Sequence, residues 1–407
     1  MKYHEIVVKD EQVNIAKDSL WRKLPAVFAM FGVGGLGASY ALKGDDVEQF
    51  FYSYITAYMF FLSLSLGGLF FVLVQHATRA GWSIVVRRLS ENVMITLPLM
   101  AVLLLPILVG VHDVFEWSHE NVVANDAVLT AKQPYLNTGS FYIRAFVFIA
   151  IWSILSLAYH RWSTSQDRAS DPIRFSDRMT WMAPLGLILF GLSLTFAAFD
   201  YMMSLDPHWF STVFGVYYFA GCVLVIHATL VLLALALQRS GYLRGVVTSE
   251  HYHDLGKMMF AFTVFWAYIA FSQYMLIWYA NVPEETYWYA YRGQGSWLWL
   301  SIALPIVRFA IPFFALISRW PKRNPKILAV WAVFILFGEL LDMFWLIQPV
   351  LPHHHGTHEL HVGLIDVTTL VGIGGLFLAV VCSATVGRPL VPLRDPRLDE
   401  SLHHENA

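Results

Sequence analysis

The chain has 407 residues, of which 57 % are apolar and only 14 % charged. Soluble domains carry about a quarter charged residues, so a water-soluble globular protein is excluded. Lys and Arg number 27 against 29 Asp and Glu, a net balance that says little because the charge is sorted by side rather than summed, and no nucleic-acid partner is expected.

A helix that crosses the hydrocarbon core needs about 20 mostly apolar residues. In chain order the runs that meet this are 24–42, 51–74, 93–111, 141–160, 181–202, 212–237, 258–280, 297–317, 327–347 and 363–386. The expected fold class is therefore all-α, a polytopic membrane protein with ten transmembrane helices. Residues 1–23 form an N-terminal arm, 24–386 a single ten-helix membrane domain and 387–407 a tail.

The loops alternate in charge. Lys2, Lys9, Lys17, Arg22 and Lys23 precede the first span, and every second loop after it is basic. These loops carry Arg79, Arg87 and Arg88; Arg161, Arg168, Arg174 and Arg178; Arg239 and Arg244; and Arg319, Lys322, Arg323 and Lys326. The tail adds Arg388, Arg394 and Arg397, whereas the opposite loops hold only Lys43, Lys132 and Arg292. Positive charge is retained inside, so both termini are expected in the cytoplasm. Trp21, Trp82, Trp162, Trp181 and Trp320 at inner ends, with Trp117, Trp209, Trp278, Trp297 and Trp345 at outer ends, read as two interfacial belts. The first 20 residues show no apolar core with a small-residue cleavage site, so the first helix is expected to serve as its own targeting signal.

Cys222 and Cys382 are the two cysteines, and no CxxCH string is present. Neither covalent haem nor a cysteine-held iron–sulfur cluster is expected. Of the histidines only His227 lies deep in a span, with His76 and His160 at cytoplasmic ends, so a pair of axial haem ligands is not expected either. If the chain serves electron transfer, its partners hold the metal centres or a quinone carries the electrons.

Buried charges are the informative residues, because each costs about 2.5–3.5 kcal/mol on insertion scales. Arg308 in the eighth run lies about 16 Å below the outer surface, and Glu339 in the ninth about 13 Å below it, with Asp342 one turn nearer the outside. One reading is a structural ion pair; the other is a proton path on which Glu339 and Asp342, three residues apart on one helix face, take protons in turn. Asp200 falls in the outer third of the fifth run, with Gln273 and Tyr274 on the outer half of the seventh. His227 lies in the inner half of the sixth run, and Asp254 with Lys257 marks the inner mouth of the seventh. The polar groups thus divide into an outer set (Asp200, Tyr274, Arg308, Glu339, Asp342) and an inner set (His227, Asp254, Lys257), as two half-channels would require. The plainer readings are hydrogen-bonded packing for His227 and a solvated helix end for Asp254.

The long outer loop 112–139 opens on His112, Asp113 and Glu116. A second outer loop reads Pro352-His353-His354-His355-Gly356-Thr357-His358-Glu359-Leu360-His361, which suits a docking loop better than any defined zinc or copper spacing. No metal site is assigned. Pro98 and Pro106 in the third run and Pro305 and Pro312 in the eighth mark kinks. The small-residue runs at Gly32, Gly34, Gly35 and Gly37 and at Gly372, Gly374 and Gly375 point to close helix packing.

Three segments carry a family likeness: FDYMMSLDPHWFST at 199–212, AYIAFSQY with WYANVPEET at 267–286, and KQPYLN at 132–137. They resemble the NrfD/polysulfide-reductase-type membrane subunits of alternative complex III, the bacterial quinol:cytochrome c oxidoreductase. Length, span number and the short arm resemble the smaller of that complex's two such subunits. The resemblance implies two four-helix bundles, helices 2–5 and 6–9, flanked by helices 1 and 10. It implies partners too: the paralogous membrane subunit ActC, subunits bearing haem c and iron–sulfur clusters on the outer side, lipids, and a terminal oxidase as an open further partner. The family's quinol site lies in ActC; the matching region here offers His112, Asp113 and Glu116, a His/carboxylate set able to take quinol protons. Proton conduction by helices 5–9 and scaffolding of the complex are the roles implied for this chain. A stand-alone ion-coupled transporter and a pure scaffold are the alternative readings.

Overall fold

The computed structural model describes residues 8–351 and 359–406; most of the histidine-rich loop, including His353, His354, His355 and His358, lies outside the described residues. The described chain is all-helical, 78 % helix without a strand. Ten helices are long and apolar enough to cross a membrane: α1 Leu20–Leu42, α2 Val47–Ala77, α3 Ile84–Val109, α4 Thr138–Gln166, α5 Ile173–Leu205, α6 Phe214–Arg239, α7 Ser249–Ala280, α8 Trp297–Leu316, α9 Pro325–Ile347 and α10 Leu364–Thr385. The protein is a multi-pass membrane protein.

Hydropathy placed the helices but shortened several of them. α3 starts at Ile84 rather than 93, α5 at Ile173 rather than 181, and α7 at Ser249 rather than 258. Side-chain caps, not apolarity, set the start of α7 and of its neighbours α4 and α9, whereas the N-cap residues of α3 and α5, Ser83 and Pro172, make no side-chain cap. Asn137 accepts from the Ser140 amide at α4, Thr248 from the Glu250 amide at α7, and Asn324 from the Lys326 and Ile327 amides at α9, where Pro325 takes the first turn. Two spans are broken where proline removes a backbone donor. In α3 the helix is interrupted at Ile95 and Thr96 just before Pro98. In α8 Pro305 leads into a π-helical turn, Ile306–Ala310.

α2, α3, α4 and α5 pack as one bundle and α6, α7, α8 and α9 as a second. α2 and α6, the two most buried spans, join them. The contact is backbone on backbone: a Cβ on Gly67 would collide with the Cys222 carbonyl. α1 and α10 form a flanking pair laid against α2. Their small residues interlock, since a Cβ on Gly35 would stand 2.6 Å from the Gly372 amide nitrogen and one on Gly375 2.5 Å from that of Gly32.

The aromatic belts need correction. Trp181, Trp278 and Trp320 are exposed on the outside of the bundle, but Trp117, Trp209, Trp297 and Trp345 are buried. Their ring nitrogens or faces are used inside: Trp117 donates to the Ser204 carbonyl at 3.0 Å, and Trp209 stacks on Trp288 at 4.4 Å. The arm and tail are likewise packed rather than free. Gln12 bonds the backbone of the α6–α7 turn twice, its Nε2 donating to the Arg244 carbonyl and its own carbonyl accepting from the Leu243 amide; Trp21 donates to Ser240, and the Leu390 amide donates to the Val13 carbonyl. Asp395, Ser401 and His404 of the tail bind Arg87, the Trp82 carbonyl and Asp254 respectively.

Candidate proton-transfer site

The deepest charge cluster is assembled by α6, α7, α8 and α9. The π-helical turn after Pro305 carries Arg308 and presents it to α9, which passes with a glycine at the contact; a Cβ on Gly338 would stand 3.1 Å from Arg308 Cδ. Arg308 pairs with Glu339 through Nη1 and Oε2, and with Asp342 through Nη2 and Oδ2 at 3.1 Å. Asp342 is satisfied on both oxygens: Tyr217 Oη donates to Oδ1 at 2.6 Å and Trp266 Nε1 to Oδ2 at 3.0 Å. Trp266 also lays its ring 4.5 Å from the guanidinium carbon. All three charged groups are sealed from outside, Glu339 and Asp342 completely.

Glu339 differs from Asp342. Its Oε1 is buried and has no hydrogen-bond partner, and it faces α6 at Gly221, where a Cβ would approach to 2.6 Å. One guanidinium thus serves two carboxylates, and the oxygen left without a partner belongs to Glu339.

The other expected residues do not join this cluster. Asp200 is bound to Arg144, Nε to Oδ2 at 2.6 Å and Nη2 to Oδ1 at 3.2 Å, within the first bundle. Arg144 in turn stacks over Tyr135 at 3.8 Å, whose phenol is pushed up by burial and by the Asp200 carboxylate. Tyr274 is half exposed and meets Tyr289 edge-on. Gln273 is buried, accepting from Ser211 and donating to Tyr289 Oη at 3.0 Å.

On the inner side, His227 turns Nδ1 to its own helix, 2.7 Å from the Val223 carbonyl, with its ring between Phe71 and Phe262. Its Nε2 is buried without a partner. Asp254 lies at the surface end of α7, paired with Lys257 at 2.5 Å and His404 at 2.6 Å under the tail. His227 is thus a packed residue with one free nitrogen, and Asp254 and Lys257 form a covered mouth.

The outer candidates His112 and Asp113 are exposed, and His112 Nδ1 is 3.0 Å from Ser118 Oγ. His361 and Glu359, the described part of the histidine loop, are exposed too. Among the described residues no group of three or more His, Cys, Asp and Glu could hold a metal ion.

Sequence reasoning missed a second buried charge cluster, at the inner end of the first bundle. Arg87 meets Asp395 at 2.5 Å and Glu91 at 3.6 Å; Arg88 meets Glu91 at 2.9 Å and Asp167 at 3.0 Å. Ser163 Oγ donates to Glu91 Oε1. Arg87 and Arg88 precede the apolar run 93–111 and so read as loop charges, but they lie inside α3, which starts at Ile84. The signal was available in the spacing, since Glu91 follows them by four and three residues on one helix face. Arg144 was missed for the opposite reason: it sits inside a run that was otherwise apolar. Compared with known proteins, the chain matches no family model and no curated sequence.

Proposed function

We propose that this chain is an integral subunit of a respiratory quinol:electron-acceptor oxidoreductase of the alternative complex III type, the counterpart of its smaller membrane subunit ActF. On this reading it conducts protons and scaffolds the complex in a bacterial inner membrane, with both termini cytoplasmic. Haem c and iron–sulfur clusters belong to partner subunits, beside the paralogous ActC. The observation that carries the proton role is the Arg308–Glu339–Asp342 cluster: one cation shared by two carboxylates, with Glu339 Oε1 unpartnered.

The chemistry runs as follows. Asp342 is held by Tyr217 and Trp266, so it is the fixed member. Glu339, free on one oxygen, is the member that can exchange its proton toward α6. Quinol oxidation in a neighbouring subunit would shift the charge balance around the pair and move that proton. Asp200 and Asp254 are proposed as outer and inner termini of the route, with His227 Nε2 between the carboxylate pair and the inner side.

Two measurements test this. The chain, tagged at its C-terminus and extracted in mild detergent from its host, should co-purify with haem c, visible in a reduced-minus-oxidised spectrum, and with iron–sulfur and sister membrane subunits. A colourless solitary protein would overturn the complex and turn attention to ion-coupled transport. Glu339→Gln should lower proton translocation per quinol oxidised; unchanged turnover and translocation would end the coupling idea and leave the scaffold reading.

A further inference from the structure

Behind the carboxylate pair lies a cavity of about 740 Å³ between α7 and the outer half of α8. Its origin is the kink. α7 packs closely on the π-helical turn and the inner half of α8, while the outer half of α8 leans on α9. The two helices therefore part in the outer leaflet. Tyr217, Trp266 and Tyr289 form the back wall and are buried or half-buried. Phe271 on α7 and Ile302 on α8 flank the mouth and are 61 % and 47 % exposed on the lipid-facing side.

The lining offers no free cation for a phosphate. Arg292 is buried and donates to three backbone carbonyls, those of Trp345, Trp288 and Leu346, with its guanidinium 3.4 Å from the Trp288 ring centre. Arg308 behind the wall is held by its two carboxylates. What the lining does offer is two phenols with opposite spare capacity. Tyr217 Oη spends its proton on Asp342, leaving an oxygen able to accept. Tyr289 Oη accepts from Gln273, leaving a proton to give.

We propose that this cavity binds the ring head of a neutral membrane quinol. One ring hydroxyl donates to Tyr217 Oη, the opposite ring oxygen accepts from Tyr289, and the prenyl tail leaves between Phe271 and Ile302. The aromatic walls suit a flat ring. The site is distinct from His112, Asp113 and Glu116, and it places a quinol one hydrogen bond from Tyr217 and two from Asp342. The inference rests on the respiratory reading for its ligand class, yet its test does not need the partner subunits.

Membranes carrying the full-length chain would be labelled with an azidoquinone photoprobe and the adducts mapped by mass spectrometry. Label should concentrate in residues 264–274 and 298–309 and be displaced by unlabelled quinol. Ala270→Trp, which fills the cavity, should abolish the labelling that unlabelled quinol displaces. Tyr289→Phe should lower it about three- to tenfold through one lost hydrogen bond, and thermal unfolding in detergent checks that both variants fold. Label spread evenly over the lipid-facing surface, or unchanged in a folded Ala270→Trp, would overturn the site. Displacement by excess phospholipid but not by quinol would also overturn it, identifying an acyl-chain slot instead. Failure here with haem c still co-purifying would leave the complex reading intact.

Discussion

The two buried charge clusters use the same chemistry in opposite ways. In the first bundle, Arg87 and Arg88 share Glu91, and each holds a further carboxylate, Asp395 or Asp167. Those last two come from the tail and from the end of α4, so the cluster closes the end of the bundle under the tail and ties together segments distant in sequence. In the second bundle one Arg308 answers two carboxylates deep between the helices, and the atom left over is an acidic oxygen. The difference teaches what would separate a structural network from the proposed proton site. Each leaves a buried carboxylate oxygen without a hydrogen bond, Asp167 Oδ1 in the first and Glu339 Oε1 in the second; the second differs in that both its carboxylates are completely buried between helices and answer a single guanidinium.

The largest expected effect breaks the first cluster. Arg88→Met removes one partner from Glu91 and the cation from Asp167 while both stay buried. Stranding buried charge in this way costs about 3–5 kcal/mol. Thermal unfolding in detergent should show a loss of many degrees or no folded protein. Glu339→Gln should do the reverse. It removes the surplus acid, so the fold should hold within about 1 kcal/mol, while proton transfer falls by a factor on the order of 10²–10⁴ if Glu339 is the exchanging group. Were the two variants equally destabilised, the division between the clusters would collapse.

An intermediate effect sharpens the second cluster. A Cβ at Gly221 would stand 2.6 Å from Glu339 Oε1 and 2.8 Å from Oε2. Gly221→Ala should therefore push the carboxylate away from α6 at about 1–3 kcal/mol of overpacking. The proton route should slow more than the stability loss accounts for. A variant that unfolds more easily but moves protons at the normal rate would show that Glu339 does not exchange toward α6.

How much of this was legible in the sequence follows from which force set each feature. The ten spans are a burial signal, strong and local, and hydropathy found all of them. Helix ends are set by caps such as Thr248 and Asn137, which hydropathy does not read, and the late start given to α3 hid Arg87, Arg88 and Glu91 among loop charges. Arg308, Glu339 and Asp342 were legible because helix depth can be counted from either end of adjacent antiparallel helices. Their partners Tyr217 and Trp266 were not, because an apolar span offers no sign of which aromatic turns toward a carboxylate. Trp209 and Trp345 looked interfacial by position and are buried because the outer connections fold back over them. The tail's contacts with Arg87 and Asp254 join residues hundreds of positions apart, and no periodicity encodes them.

The smallest expected effect gauges both clusters against water. Asp126 lies in the outer loop, 2.7 Å from His208 Nε2, and it caps the helix Ala127–Lys132 through the amides of Val128 and Leu129. The His208 hydrogen bond, followed by the Leu129 amide, holds its carboxyl below the usual value. A carboxyl depressed in the folded state adds stability above its ordinary pKa, about 3.9, and loses it as pH falls through the lower folded value. Asp126→Asn should therefore leave the unfolding temperature nearly unchanged at pH 7, with any difference from the parent vanishing in strong acid. Exposed pairs of this kind contribute little because water competes for both partners. A large loss at neutral pH would mean that the outer loop, like the tail on the opposite face, is held in place by a charge pair.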